Sequence, residues 1–389
     1  MSALHQISAY TVTSLRSLPA RIGSSSVIVV GMAGVVAVIV SVLSMSNGFL
    51  ESVSKTGRAD RAIVTQSGAQ TESLSSIPRS AIPVILNAAG IKKDSAGHPI
   101  VSADIFAYQL VPKSSDGLLG FVTIHGVGPQ AFTLLPQIKL ISGRVFTPGL
   151  RELIVGRMMA SQFAGLQVGS TVALPDGDWS IVGSFESNGD QHESELLGDV
   201  EALMSAQRRT SYNSMTVMLT SADAFDSFKA ALMMNPALSV DVVRENVYFA
   251  KLAKPIHDFL TLVAVVVGAI MGLGAAFGAL NTMYSAISTR AAEIATLRAI
   301  GFGGGPVVVA VMTEALLLTL AGAFVGVTIV WLFFNGKVVV SDYYIYSLAV
   351  KPSLIALGIA CALVIGFFGG LLPATRAARL RVAAAMRPT

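Results

Sequence analysis

Residues 259–289 read FLTLVAVVVGAIMGLGAAFGALNTMYSAIST, a stretch without a single charged side chain. Three further stretches have the same character: residues 22–50 and 352–375 carry no charge, and residues 299–336 carry only Glu314. Each is longer than the ~20 residues that are needed to cross ~30 Å of hydrocarbon. The sequence therefore predicts an integral membrane α-helical protein with four transmembrane helices.

The composition of the whole chain agrees with a membrane protein. Of its 389 residues, 53% are hydrophobic and 13% are charged, and the mean hydropathy is +0.66. An ordinary soluble domain has roughly 25% charged residues. The basic residues are scattered and form no nucleic-acid motif, so we expect no nucleic-acid partner. The single cysteine, Cys361, permits neither an intrachain disulfide nor a cysteine-based metal site.

The apolar stretches divide the chain into segments. We predict an α+β extracytoplasmic domain between the first two helices, because strand-like runs at residues 152–155, 171–174, 179–184 and 215–219 alternate with helical patterns. The segment 1–21 is either an amphipathic helix on the cytoplasmic surface or a disordered tail. The predicted parts are the N-terminal segment 1–21, helix 22–50, the external domain 51–258, helix 259–289, a cytoplasmic loop 290–305, helix 306–336, an external loop 337–352, helix 353–375 and a cytoplasmic tail 376–389.

Arginines predict the orientation of the chain in the membrane, because short cytoplasmic flanks are enriched in basic residues. We therefore expect both termini in the cytoplasm and residues 51–258 outside. In the external loop, Tyr343, Tyr344 and Tyr346 join Trp331 in a pattern typical of an interfacial aromatic belt. The arginines in the short flanks are Arg16, Arg21, Arg290, Arg298, Arg376, Arg379, Arg381 and Arg387.

Motifs of catalysis are missing from the sequence. There is no G-x-x-x-x-G-K-[ST] loop for ATP, and His192-Glu193 is not a metalloprotease motif because position 196 is leucine. We expect no catalytic residue, no metal and no cofactor in this chain. Six acidic residues lie close together in sequence and are either a hard-cation site or, as their spacing favours, a solvated loop. They are Glu186, Asp190, Glu193, Glu195, Asp199 and Glu201.

Small residues recur at helical spacing in the predicted spans. A G-x-x-x-G pair places two glycines on one helix face and lets helices approach closely. Such faces serve either packing within one chain or contact with a second copy or partner chain. The pairs are Gly268 and Gly272, Gly274 and Gly278, Gly322 and Gly326, and Gly366 and Gly370.

Glu314 is the one ionisable residue well inside a predicted span. A charge at that depth costs ~2.5–3.5 kcal/mol on insertion scales unless it is neutral or paired. We therefore expect Glu314 to face protein, where it either packs and anchors the helix or takes part in transport.

The loop between the second and third helices reads RAAEIATLRAIG over residues 290–301. Ile294, Leu297 and Ile300 follow one another at three-residue steps and predict a short helix with one apolar ridge, flanked by Glu293 and Arg298. Gly301 ends it. The loop is either a simple connector or a segment that docks into a groove of another protein.

This loop resembles the MacB/FtsX-like permease family of ABC transporters, in which the corresponding loop is similar to R-x-x-E-I-x-x-L-R-A-I-G. Further similarities are Glu314-Ala-Leu-Leu-Leu, Pro373-Ala-Thr-Arg376 and, in the external domain, Ser142-Gly-Arg144 and Val182-Gly183. The order of one helix, a large external domain and three helices is that of the family. After Gly301 this chain has Gly303-Gly304-Gly305 where relatives usually carry basic residues.

The resemblance implies a non-catalytic permease subunit of a bacterial inner-membrane export or mechanotransmission complex. Separate cytoplasmic ABC ATPase subunits would bind ATP and Mg and dock on residues 290–301. A second permease copy, membrane lipids and a periplasmic adaptor are the other implied partners. The alternatives are a membrane-anchored receptor or surface-binding protein without ATPase coupling, and an ion-coupled transporter, which needs more buried charge than Glu314.

Overall fold

The computed structural model describes residues 22–174, 176–299, 303–340 and 345–379. The predictions for segment 1–21, Ile300, Gly301 and Arg381 fall outside these residues, as does the side chain of Leu297. The described part of the chain separates into two compact units. One contains residues 22–47, 258–299, 303–337 and 348–379, and the other contains residues 48–174 and 176–257 with the described part of 338–347.

Four helices within the described ranges are long and apolar enough to cross a membrane: α1, α7, α9 and α10. The helices α1, α7 and α10 extend beyond the apolar stretches, whereas α9 lies within residues 299–336. Both α1 and α7 contribute residues to both units. In chain order the helices are α1 (Ile22–Thr56), α2 (Ile82–Leu86), α3 (Ala131–Leu134), α4 (Arg157–Gln162), α5 (Val200–Ala206), α6 (Phe225–Met233), α7 (Glu245–Thr289), α8 (Ala291–Ala299), α9 (Gly304–Phe334) and α10 (Pro352–Ala378).

The first unit is a helical bundle with an apolar interior. Near one end, Met283 and Ile287 of α7 pack with Val311 of α9 and Ala374 of α10. Further along, Val36 of α1 packs with residues of α9 and α10. Many large apolar side chains of α7 face away from this interior and are exposed. This is expected of a helix that contacts lipid.

The second unit is built on a mixed sheet, which confirms the prediction of helices and strands in this segment. The predicted strand runs lie in β6, β7, β8 and β11, with shifts of a few residues at their ends. The strands are β1 (Arg61–Gln66), β2 (Ile77–Pro78), β3 (Val101–Pro112), β4 (Leu119–Val127), β5 (Lys139–Gly143), β6 (Glu152–Gly156), β7 (Thr171–Leu174), β8 (Gly177–Glu186), β9 (Glu195–Asp199), β10 (Ser211–Tyr212), β11 (Ser214–Met218), β12 (Val240–Arg244), β13 (Val338–Val340) and β14 (Ile345–Ser347).

Within the described residues the main sheet runs in the order β12-β1-β11-β3-β4-β9-β6-β8-β5, and β7 adds to β8. The pairs β4–β9 and β6–β8 are parallel and the others are antiparallel. In the parallel pair, His125 of β4 lies opposite Leu197 of β9. This pairing places residues 123–127 of β4 along the whole of β9, so His125 lies two positions beyond the partner of Glu195.

Glycines permit a close approach of two strands near Arg144. A Cβ atom on Gly183 would lie 2.2 Å from the carbonyl oxygen of Arg144, and one on Gly143 would lie 2.2 Å from that of Val182. Such distances are far inside van der Waals contact, so both positions require glycine. The sequence pieces Ser142-Gly-Arg144 and Val182-Gly183 therefore face each other across β5 and β8.

The external loop 337–352 is not simply a loop, because part of it forms the hairpin β13–β14 of the second unit. The Oγ atom of Ser194 donates to the carbonyl oxygen of Ile345 at 2.6 Å. Tyr346 is buried, and its ring meets the ring of Phe49 edge-on at 5.5 Å. The assignment of Tyr346 to an interfacial belt is therefore wrong: its ring is covered by protein, whereas Trp331 is exposed.

Candidate functional site

The candidate coupling segment begins at Arg290, directly after α7, and continues as helix α8. The amide of Ile294 donates to the carbonyl oxygen of Arg290 at 2.9 Å, so Arg290 belongs to the first turn. Ile294 and Ala295 are buried within the chain, whereas Ala292, Glu293 and Thr296 are exposed. A short helix with one buried and one exposed face therefore follows α7.

The burial of Ile294 corrects the prediction that its side chain forms a docking ridge. Ile294 is 1% exposed and packs in the same cluster as Met283, Val311 and Ala374 of the neighbouring helices. An isoleucine that fills an intrachain core is not available to a partner. Among the side chains of α8 that the structure describes, the exposed ones are Ala292, Glu293, Thr296 and Ala299.

The start of the segment is attached to α9 by a buried ion pair. Arg290 Nη1 lies 3.4 Å from Glu314 Oε2, and the two side chains are 8% and 5% exposed. Arg290 Nε also lies 3.3 Å from Glu293 Oε2. The sequence predicted that Glu314 faces protein. It did not indicate Arg290 as the partner, because the two residues are 24 positions apart.

The end of the segment is attached to α10. Arg298 Nη1 donates to the carbonyl oxygen of Ala378, the last residue of α10, at 2.6 Å. The guanidinium of Arg376 stands over the ring of Tyr284 at 5.3 Å from its centroid. Through these contacts Arg298 joins α8, and Arg376 joins α7, to the end of α10. The sequence had indicated Arg298 as a charge beside the apolar ridge and Arg376 as a cytoplasmic charge.

Two of the G-x-x-x-G pairs have backbone or short side chains of the same chain as neighbours. A Cβ on Gly322 or Gly326 would lie 2.6 and 2.5 Å from the carbonyl oxygens of Val29 and Ala33 of α1. Gly366 and Gly370 of α10 meet Thr319 and Ala315 of α9 at similarly short distances. These four glycines let the helices of one chain approach closely.

The two pairs in α7 differ from each other. A Cβ on Gly268 would lie 2.8 Å from the side chain of Ile39, and one on Gly272 would lie 3.0 Å from Ile365. Gly274 and Gly278 have no atom within 4 Å of the corresponding position among the described residues. Of the predicted faces, only that of Gly274 and Gly278 is open in the described part of the chain.

A polar cluster in the second unit was not predicted. His125 comes from β4, His192 from the 3-10 helix Gln191–Ser194, and Glu195 from the start of β9. The Oε2 atom of Glu195 lies 3.0 Å from Nδ1 of His125 and 3.1 Å from Nδ1 of His192. All three residues are more than nine-tenths buried. The parallel pairing of β4 with β9 creates this contact between residues 70 positions apart.

Two further carboxyl groups lie beside the cluster, that of the buried Asp104 and that of the half-buried Glu72. Nε2 of His125 lies 3.8 Å from Asp104 Oδ1, and Asp104 accepts a hydrogen bond from Ser102. Glu72 Oε1 accepts from Ser214 Oγ at 2.6 Å. Glu72, Asp104 and His125 are among the residues that line a cavity of about 50 Å³.

Charge and burial compete in this cluster. Burial opposes a charge on His125, but the carboxylates of Glu195 and Asp104 outweigh it and raise the pKa of the imidazole above its usual range. Burial likewise opposes a charge on Glu195, yet the two imidazoles lower the pKa of this carboxyl to about 2. Burial raises the pKa of Glu72 to about 7. Glu195 is thus the carboxylate that the imidazoles hold ionised.

The prediction of a solvated acidic loop is wrong for most of its residues. Asp190, Glu193, Glu195 and Asp199 are 1%, 0%, 4% and 8% exposed. Glu193 Oε1 accepts from the backbone amides of Ser187 and Gly189, each at 2.8 Å, so it closes the turn before β9. Acidic residues can be buried here because backbone amides and imidazoles provide their partners. Leu196 and Leu197, which lie between Glu195 and Asp199 in β9, are the sequence signal that could have indicated a buried segment.

The described folds define a class of protein: a membrane protein with four candidate spans and a mixed α/β domain inserted after the first. Residues 25–233 match the family model of the MacB-like periplasmic core domain, and residues 265–382 match that of the FtsX-like permease C-terminal region. The first match covers more than half of the chain. The chain belongs to this family of ABC transporter permeases.

Several curated proteins are similar to the chain. The uncharacterized ABC transporter permease YknZ of Bacillus subtilis is 24% identical over 291 residues, which are 68% of this chain and 70% of that protein. The macrolide export ATP-binding/permease protein MacB of Chromobacterium violaceum is 33% identical over 123 residues, or 31% of this chain and 18% of MacB. The lipoprotein-releasing system transmembrane protein LolC of Xylella fastidiosa is 26% identical over 290 residues, or 65% and 69%.

Two solved structures match parts of the chain. The extracellular domain of YknZ from Gram-positive bacteria has a TM-score of 0.36 and 18% identity, covering 47% of this chain and 99% of that one. The periplasmic region of MacB from Actinobacillus actinomycetemcomitans has a TM-score of 0.37 and 14% identity, covering 48% and 90%. Both scores are too low to establish a shared fold.

Proposed function

We propose that the chain is the permease subunit of an ABC-type export or mechanotransmission complex, in which separate cytoplasmic ATPase subunits bind ATP and Mg and hydrolyse the nucleotide. The permease itself is non-catalytic. It lies in a bacterial inner membrane with both termini in the cytoplasm, surrounded by lipid, and works with a second permease copy and a periplasmic adaptor. Membership of the permease family supports this assignment.

The attachment of α8 at both of its ends is the observation that carries the proposal. Arg290 joins its start to Glu314 of α9, and Arg298 joins its end to Ala378 of α10. Because Ile294 packs in a core that it shares with α9 and α10, and Ala295 is also buried, a force on the exposed face of α8 would be transmitted to these helices. The exposed Ala292 and Thr296 are small and suit insertion into a groove.

The test begins with the full chain purified from its native membranes. A permease brings with it a chain that contains a P-loop ATPase motif, whereas a receptor without ATPase coupling is isolated without one. The variants Ala292→Trp and Thr296→Trp place a bulky ring on the exposed face of α8. We expect normal amounts of permease in the membrane and a fall of at least ~10-fold in ATPase binding or permease-stimulated ATP hydrolysis, which corresponds to ~1.4 kcal/mol.

Ser285→Trp is the matched control, because Ser285 is also exposed but lies in α7 outside the segment. This variant should keep its ATPase. If Thr296→Trp stimulated hydrolysis like the unaltered chain, α8 would be only a connector, and the coupling role would be abandoned.

A further inference from the structure

Three ligand atoms in the second unit have the separations of a metal coordination shell. Atoms bound at ~2.1 Å to one ion stand roughly 3.0–3.4 Å apart in octahedral or tetrahedral geometry. Glu195 Oε2 lies 3.0 and 3.1 Å from the Nδ1 atoms of His125 and His192, and the ligand atoms of the three residues are all within 4.8 Å of one another. Small side-chain adjustments are enough to surround one ion.

The Nε2 atoms of the two imidazoles, those of His125 and His192, are buried without a hydrogen-bond partner among the described residues, which is unusual for a polar atom. The same is true of Gln191 Oε1. These residues line the cavity of about 50 Å³. A space of this size is enough for an ion with one or two water ligands.

Asp104 is placed to support a ligand histidine. Metal-bound histidines commonly donate their second N–H to a carboxylate, which fixes the ring orientation. Asp104 Oδ1 stands 3.8 Å from Nε2 of His125 and accepts a hydrogen bond from Ser102, and Thr216 donates to Asp104 Oδ2 at 3.3 Å. A small rotation of the imidazole would complete this hydrogen bond.

The charges around the cavity also favour a cation. Glu72, Asp104 and Glu195 line it together, and the arginine nearby, Arg61, is paired with Glu245 at 2.7 Å. The two imidazoles are the groups that lie against the carboxylate of Glu195. A divalent ion, which needs neutral imidazole ligands, would take over the compensation of this carboxylate.

We propose that His125, His192 and Glu195 bind a divalent transition-metal ion of the Zn²⁺ class. Two imidazole nitrogens and one carboxylate oxygen suit such ions better than Ca²⁺ or Mg²⁺, which prefer oxygen ligands. Binding displaces the Nδ1 protons to solvent, and water from the cavity completes the coordination shell.

The ion would fasten three separate parts of the second unit. It links β4, β9 and the turn that carries His192, and the amide of the adjoining Gln191 donates to Thr56 Oγ1 at the end of α1. The ion therefore stiffens the surroundings of the last residue of α1. This role is independent of ATPase coupling, so the two proposals succeed or fail separately.

The direct test uses the full chain purified in detergent, stripped with EDTA and dialysed against ZnCl₂ or CoCl₂. We expect one Zn²⁺ per chain by elemental mass spectrometry, and a visible absorption spectrum of bound Co²⁺ that shows nitrogen and oxygen ligands. Zn²⁺ should also raise the Tm of the chain. These measurements on the unaltered protein do not depend on whether a variant folds.

Variants then assign the ligands. His192→Gln and Glu195→Gln should lose the stoichiometric ion, and Asp104→Asn should weaken Zn²⁺ binding by roughly 10- to 100-fold. His98→Gln is the matched control, because the side chain of His98 is 74% exposed and pairs only with Asp94 among charged groups of the described residues. It should bind like the unaltered chain.

Three results would overturn the proposal: no ion and no Co²⁺ spectrum in the unaltered chain, unchanged stoichiometry in His192→Gln, or selective binding of Ca²⁺ over Zn²⁺. The first would leave the three residues as a hydrogen-bonded cluster only.

Discussion

At the scale of single residues, Arg290 and Glu314 give the clearest link between sequence and mechanism. A lone glutamate in a candidate span is costly, and the structure satisfies it with an arginine from the start of the coupling segment. The pair is buried, so each charge depends on the other. Because Arg290 lies at the start of the segment, a displacement of α8 would move the ion partner of Glu314 in α9.

We expect Arg290→Leu to destabilise the chain by about 3–5 kcal/mol, because it leaves Glu314 buried without this partner. The double variant Arg290→Leu/Glu314→Leu should recover most of the loss, since no buried charge remains. Thermal unfolding of the detergent-solubilised protein measures both. Glu293→Ala is the control and should cost at most ~1 kcal/mol, because its side chain is 67% exposed. A double variant as unstable as the single one would contradict the pairing.

At the scale of the elements, glycine pairs that look alike in sequence have different surroundings. Gly322 and Gly326 face the backbone of α1, whereas Gly274 and Gly278 face open space in the described part of the chain. The spacing of four residues predicts a close-packed face but not its occupant. A second copy of the chain is the occupant that we propose for Gly274 and Gly278.

We expect Gly278→Leu to weaken self-association at least ~10-fold without unfolding the chain, because the added side chain meets only the partner. Gly272→Leu should instead lower the Tm, since its side chain would collide with Ile365 of the same chain. Mass measurement in detergent separates dimer from monomer. Gly31→Leu, at an equally open glycine of α1, is the control and should leave both quantities unchanged. An unchanged dimer in Gly278→Leu would remove this face from the interface.

At the scale of the whole molecule, the chain combines a helical unit with a mixed α/β unit that is made from two separate stretches of sequence. The hairpin β13–β14, which lies between α9 and α10 in the chain, belongs to the α/β unit. Both stretches of this unit must therefore be on the same side of the membrane. The arginine-rich flanks predict that this side is external.

Cysteine labelling tests this topology, because Cys361 is the only cysteine of the chain. In a Cys361→Ala background, we expect Ser115→Cys and Lys337→Cys to react with a membrane-impermeant maleimide in intact spheroplasts. Thr296→Cys should react only after the membrane is permeabilised. All three positions are exposed in the structure, so differences in labelling report the side of the membrane. Labelling of Thr296→Cys in intact cells would reverse the predicted orientation.

The sequence by itself determined the four candidate spans, the inserted domain and the family, because uncharged stretches and short motifs depend on local composition. It also located the candidate coupling segment and predicted that Glu314 faces protein. Tertiary structure alone decided the partner of Glu314, the burial of Ile294, and which glycine pair is open. It also turned part of an apparent acidic loop into a buried histidine–carboxylate cluster. The physical reason is that these contacts join residues far apart in the chain, and burial is a property of the neighbours that folding brings together rather than of local sequence.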